Sequence, residues 1–262
     1  MRHINEFLVN KKINKRIDQT HHYIYFPDNI GNLRKAIEEL VCKNEYDFNC
    51  IDTSKITDMS YLFEDINIYK PLQSKIDVSE WDVSNVVDMH HMFYDCKNFD
   101  CDLSNWNVSK CTNMRGMFEG CSKFKGTGLS NWDVSNVENM SHMFCDCHEF
   151  EGDVSNWNTG KVITMSRLFY DCYKFNSDLS KWNVSKVKKM NSTFSGCREF
   201  NSNISNWNVS NVEKMNNLFK DCINFNQNLD NWNVVKPRQT YNMEFIFDNC
   251  PLEVNPPKWY ID

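Results

Sequence analysis

Ser130-Asn-Trp-Asp-Val-Ser-Asn-Val-Glu-Asn-Met-Ser-His-Met-Phe-Cys-Asp-Cys-His-Glu-Phe150 decides the architecture, because nearly the same string stands before and after it. Tryptophans recur at Trp81, Trp106, Trp132, Trp157, Trp182, Trp207 and Trp232, in steps of 25, 26, 25, 25, 25 and 25 residues. So strict a period marks stacked units, each too small to bury its own apolar face. Counted from each Trp, most units carry small apolar residues at +2 and +5, Met at +8, Met or Leu at +11 and Phe at +12; Cys follows at +15, Phe at +18 and Leu, Val or Ile at +22. Rows of identical large side chains are what stacking requires, each packing on its copy in the next unit.

Within a unit, the three-to-four spacing from Met at +8 to Cys at +15 predicts a short helix, and the Asp-Leu-Ser-x-Trp segment predicts a short strand. The expected fold is an α/β repeat solenoid, a leucine-rich-repeat-like right-handed coil of about eight units with one strand and one helix each, capped at both ends. Residues 1–50 read as an N-terminal segment and helical cap, 51–250 as the solenoid and 251–262 as a C-terminal cap or tail. In the cap, Tyr23 to Phe26 is β-like, and Asn32 precedes a helix with one apolar face of Leu33, Ala36, Ile37, Leu40 and Val41. Residues 1–22 are expected to form a loosely docked helix, and the insertion from Asn67 to Gln73 a protruding loop. Ile51 stands in the tryptophan place of the first unit, and the array ends where Pro237, three extra residues and Pro251, Pro256 and Pro257 interrupt it. Ser at −2 and Asn or Asp at +1 are expected to form hydrogen-bonded ladders at the turns.

The net charge of −6 and pI near 5.7 give no reason to expect nucleic acid as a partner. No apolar run is long enough for a signal peptide or a membrane helix. The chain is therefore expected in the cytoplasm or a host-cell interior, with no membrane insertion and as a monomer. Charge alternates by unit: −4 over 81–105, +3 over 106–131, −6 over 132–156 and +2 over 157–181. Ion pairs between neighbouring units should follow.

The motif Trp-Asn-Val-Ser-x-Val-x-x-Met-x-x-Met-Phe-x-x-Cys-x-x-Phe-Asn-x-Asp-Leu-Ser resembles the BspA-like leucine-rich-repeat family over residues 51–250. That family is a 26-residue-type surface-protein repeat and a domain of unknown function found in bacterial, protist and large-DNA-virus proteins. The resemblance implies a solenoid for adhesion or protein binding, with no catalytic residues to carry over, and makes the cell surface the alternative location.

The chemistry-bearing residues follow the repeat. Seven of the twelve cysteines form the +15 row and read as buried thiols. Cys145-Asp-Cys147-His148, with His142 nearby, has the donor types of a metal site or a Cys–His hydrolase. However, Cys147 belongs to the packing row, the paired spacing of zinc ligands is missing, and no third orienting group is evident. No cofactor or metal is therefore expected. Positions +9, +10, +13 and +16 vary without pattern, and a helical turn would set them on one face. That predicts a contact strip of His91, Tyr94, Arg115, His142, Arg167, Tyr170 and Tyr173 on a non-enzymatic protein–protein interaction module. The alternatives are a secreted or surface adhesin and a metal protein or hydrolase using residues 145–148.

Overall fold

A computed structural model describes residues 23–64, 75–235, 237 and 242–261. The expected helix in 1–22, the loop at 67–73 and most of the interruption after residue 235 lie outside the described residues. Helix α1 (Ile30–Cys42) opens the structure. Its buried face is Leu33, Ala36, Ile37, Leu40 and Val41, as the spacing requires. Its N-cap is Asn29 rather than Asn32: the Asn29 carboxamide oxygen accepts from the Asn32 backbone N–H at 3.0 Å. Upstream, Tyr25 makes a parallel bridge to Ile51. A second helix, α2 (Lys258–Ile261), closes the chain.

Between the two helices the structure corrects the expected fold. The described repeats hold no strand–helix pair; each is a coil of consecutive turns stacked in parallel on its neighbours. The segment expected to be helical shows why. In the coil from Trp132, the N–H groups of Met140, His142, Phe144 and Asp146 donate to Thr164, Ser166, Leu168 and Tyr170 of the next coil at 2.8–3.0 Å. The N–H groups of Met143, Cys145 and Cys147 close turns onto Met140, His142 and Phe144 of the same coil. An α-helix would need both sets to run to residues four positions back. His142 and Asp146, each with φ of +61°, also break it, because left-handed residues sit at the third place of type II turns and not inside helices.

The expected strand is absent as well. Near Trp157 the backbone turns twice: Ser155 N–H donates to Asp153 Oδ1 at 2.9 Å, and Trp157 N–H to Val154 O at 3.2 Å. The β-type contact falls instead at +7, where Asp58, Asp88, Asn113, Asn139, Thr164, Lys189 and Lys214 form a file of single parallel bridges. The expected side-chain ladders are mostly local. Asp82, Asn107, Asp133, Asn158, Asn183 and Asn208 each accept from the backbone N–H two residues on, the Asx turn that curls the coils from Trp81 to Trp207 after their tryptophans.

The core is one continuous cluster from Tyr25 to Trp259, built as three aromatic columns. Indoles from Trp106 to Trp259 stack with centroids 6.2–6.5 Å apart and planes within 11°. Each Nε1 donates to a backbone carbonyl one coil back, as Trp157 does to Leu129 at 2.9 Å. Thus α2 supplies Trp259 as the last indole, bonded to Leu229 O at 2.7 Å. The Phe at +12 forms a second column from Phe63 to Phe247, with centroids 5.0–5.9 Å apart. From Phe93 to Phe219 each of these rings also faces the Phe at +18 of its own coil, 3.9 Å away for Phe169 and Phe175. Burying one such ring is worth about 1.5–3 kcal/mol, so stability accumulates with each added coil.

The one 26-residue unit absorbs its extra residue at Gly128, whose φ is +89°, followed by a short 3-10 turn over Leu129–Asn131. A Cβ at Gly128 would lie 2.2 Å from the Ser104 nitrogen, so only glycine fits there.

Candidate functional site

The left-handed corners line up the +10 and +13 positions of successive coils in two adjoining files, some of whose side chains are exposed and some buried. Down the stack the +10 file reads Tyr61, His91, Gly116, His142 and Arg167, and the +13 file reads Glu64, Tyr94, Glu119, Cys145 and Tyr170. Where they meet, His91, Tyr94, Arg115 and His142 line one depression of about 290 Å³ together with Tyr61, Glu64 and Glu119. A second depression of about 350 Å³ adjoins it, sharing Tyr94 and Glu119 and reaching Lys97, Asp146 and His148.

The structure thus gathers four of the seven predicted contact residues and disperses three. Arg167 lies over the Tyr170 ring at 5.5 Å, one coil further on. Tyr173 is sandwiched between His148, stacked at 4.6 Å, and the Arg198 guanidinium at 4.4 Å. Exposure also differs from a uniform helix face: Tyr94, Arg115 and Arg167 are exposed, His142, Tyr170 and Tyr173 are half-buried, and His91 is buried. His91 is drawn in by its neighbours, stacked on Tyr61 at 5.0 Å and edge-on to Tyr94 at 5.3 Å.

Glu119 is the residue the sequence reading missed. Its carboxylate stands between two imidazoles, Oε1 at 3.3 Å from His142 Nδ1 and Oε2 at 3.6 Å from His91 Nδ1. It occupies a position already marked as variable, but its significance needed the stacking register that sets it between +10 residues of the coils on either side. Burial pulls the His91 imidazole below its ordinary pKa, while the Glu119 charge pulls the other way.

The residues from Cys145 to His148 do not act as a cluster. Cys147 points inward, its Sγ donating to Phe118 O at 3.0 Å, and His148 lies outside against Tyr173. Four others of the +15 row behave like Cys147: Cys121, Cys172, Cys197 and Cys222 each donate to a Phe carbonyl one coil back at 2.8–3.0 Å, whereas the end members Cys96 and Cys250 lie 4.0 and 3.6 Å from theirs. Of the quartet only Cys145 stays with His142, and Glu119 joins them, the three donor atoms lying within 4.8 Å of one another. Burial, then the neighbouring Asp146 charge, raises the Cys145 thiol far above its ordinary pKa.

Around this edge the alternating unit charges pair across coils, as expected. Lys174 reaches Glu149 at 2.5 Å and Glu151 at 3.5 Å, Lys123 reaches Glu149 at 3.8 Å, and Lys125 reaches Asp100 at 3.4 Å. These pairs are exposed and contribute little each.

In comparisons with known proteins, the sequence model of a family described as "Mycoplasma protein of unknown function, DUF285" matches residues 31–155, 104–197 and 142–259. Its overlapping matches reproduce the repeat. A comparison with curated proteins gave no match.

Proposed function

From the premise that this chain belongs to the DUF285 family of Mycoplasma-type repeat proteins, we propose that it is a non-enzymatic protein-binding module whose contact face is the +10/+13 edge of the stacked coils. The observation that carries the reading is the pair of adjoining depressions at that edge. They expose Tyr61, Tyr94 and Arg115 beside half-buried His142, while the apolar scaffold rows are spent on the core. Aromatic and Arg side chains held by a rigid frame are the usual anchors of protein interfaces. The BspA-like resemblance supports protein binding in the same sense, and a surface adhesin remains its alternative form.

A non-catalytic role is supported by the state of the thiols. Burial lifts the Cys145 and +15-row thiols above the ordinary cysteine pKa, the opposite of what a nucleophilic cysteine needs. The row's use of Sγ–H as a donor to backbone carbonyls supports a reducing compartment.

The test is affinity capture from native cells followed by titration of the identified partner. Arg115→Glu and Tyr94→Ala should each weaken binding at least about tenfold, the range of an interface anchor, with unfolding midpoints unchanged. Arg167→Glu and Tyr170→Ala, on the outlying pair, should weaken it less. Unchanged affinity in all four variants, with loss on substituting the exposed Asp82 or Asp133 at the turns after the tryptophans, would place the contact face elsewhere.

A further inference from the structure

We propose that His91, Glu119, His142 and Cys145 form a binding site for one divalent cation of the zinc class, spanning three successive coils. Glu119, His142 and Cys145 offer a carboxylate oxygen, an imidazole nitrogen and a sulfur within 4.8 Å of one another. In a tetrahedral zinc site, bonds of about 2.0–2.3 Å put donor atoms about 3.3–3.8 Å apart. The Glu119–His142 pair already meets that at 3.3 Å, and the thiol needs a shift of about an ångström.

Two independent observations bring in His91. Its Nδ1 is buried without a hydrogen-bond partner, in a side chain only 8% exposed, and faces Glu119 Oε2 at 3.6 Å. An orphaned buried nitrogen is costly and needs an explanation; a cation bridging to Glu119 supplies one. Moreover, the coil between the two histidines carries Gly116 at the +10 position, where a Cβ would lie 2.4 Å from His91 Nδ1. With φ of +58° at that corner, glycine both suits the turn and clears the space into which the His91 ring lies.

Two imidazoles, one carboxylate and one sulfur make a mixed donor set that suits zinc better than magnesium or calcium, which take oxygen ligands. On binding, a bond forms from Cys145 Sγ to the cation and the thiol proton leaves to solvent. The thiolate and the Glu119 carboxylate then balance the two positive charges. Asp146, whose Oδ2 now accepts from Cys145 Sγ at 3.2 Å, is placed to take that proton in transit. The proposal does not rest on the contact-face reading: a chain that holds zinc and captures no partner keeps it.

The test loads the full chain with zinc, removes excess by gel filtration and measures metal by elemental analysis. About one equivalent per chain is expected. His142→Ala and Cys145→Ser should each weaken binding at least about tenfold, the cost seen even for groups that only orient ligands. His91→Ala and Gly116→Ala should weaken it too, whereas Cys42→Ser, an exposed thiol outside the site, should retain it. Cobalt(II) in place of zinc should give a thiolate-to-metal charge-transfer band in the near ultraviolet that Cys145→Ser abolishes. Near-ultraviolet circular dichroism of the indole column checks that each variant is folded. Wild-type chain emerging free of zinc, full retention by a folded His142→Ala/Cys145→Ser double variant, or cobalt loading without the band would each overturn the proposal.

Discussion

Phe169 shows at single-residue scale what the stack depends on. Its ring is fully buried, 3.9 Å from Phe175 in its own coil and 5.7 and 5.9 Å from Phe144 and Phe194 in the coils on either side. Neighbours fixed on both sides by backbone bonding cannot collapse into a void. Phe169→Ala should therefore cost about 3–5 kcal/mol in denaturant unfolding, and a loss below about 1 kcal/mol would contradict the column. The rows of Phe, Met and Trp were legible in the sequence because burial repeats with the period. The left-handed corners were equally present there and went unread. Position +14 is Asp95, Gly120, Asp146, Asp171, Gly196 and Asp221 in turn, an exchange of Asp with Gly that signals positive φ. Read that way, it forbids the helix that the Met and Phe spacing suggested.

At the scale of one coil, curvature comes from Asx turns, and these carry the pH dependence. Serine hydroxyls hold Asp102, Asp133 and Asp153 below the ordinary carboxylate pKa, the Ser104, Ser135 and Ser155 side chains first and their backbone N–H groups next. A carboxyl whose folded pKa is depressed stabilises the fold above its unfolded value. That contribution disappears as pH falls from near 3.8 through the folded pKa. Asp171 has the opposite sign. Burial and then Asp146 raise its pKa, so its contribution is present at acid pH and is lost as pH rises from 3.8 through the raised value. Thermal melts from neutral pH down to about pH 3 should therefore show a smaller acid loss in Asp153→Asn, which keeps the turn and loses the titration. Asp171→Asn should raise the midpoint at neutral pH and leave it nearly unchanged in acid. The strand and helix of each unit were misassigned because period-based reading takes the apolar pattern as a sign of hydrogen bonding within the segment. Here the partner amides lie about 25 residues away, and periodicity cannot tell the two cases apart.

For the molecule as a whole, each coil bonds mainly to its two neighbours, so stability should be additive along the stack. Deleting one complete unit, residues 182–206, should leave a folded chain with a lower midpoint, because Trp157 and Trp207 then become neighbours in register. Deleting twelve residues within the same unit should prevent folding; equal circular dichroism from both deletions would refute the register. The candidate site was only half legible for a related reason. His91 and His142 could be singled out as variable positions, but Glu119 gains its role from lying between them across coils, a relation that no single unit contains. The indole column has a further consequence, an optical one. Rings with planes within 11° and centres 6.2–6.5 Å apart, each with its N–H turned to a carbonyl one coil back, hold their transition dipoles in a repeated orientation. Excitation is expected to pass from ring to ring with little depolarisation of the emission, so one quencher attached beside Trp259 should dim indoles several coils away.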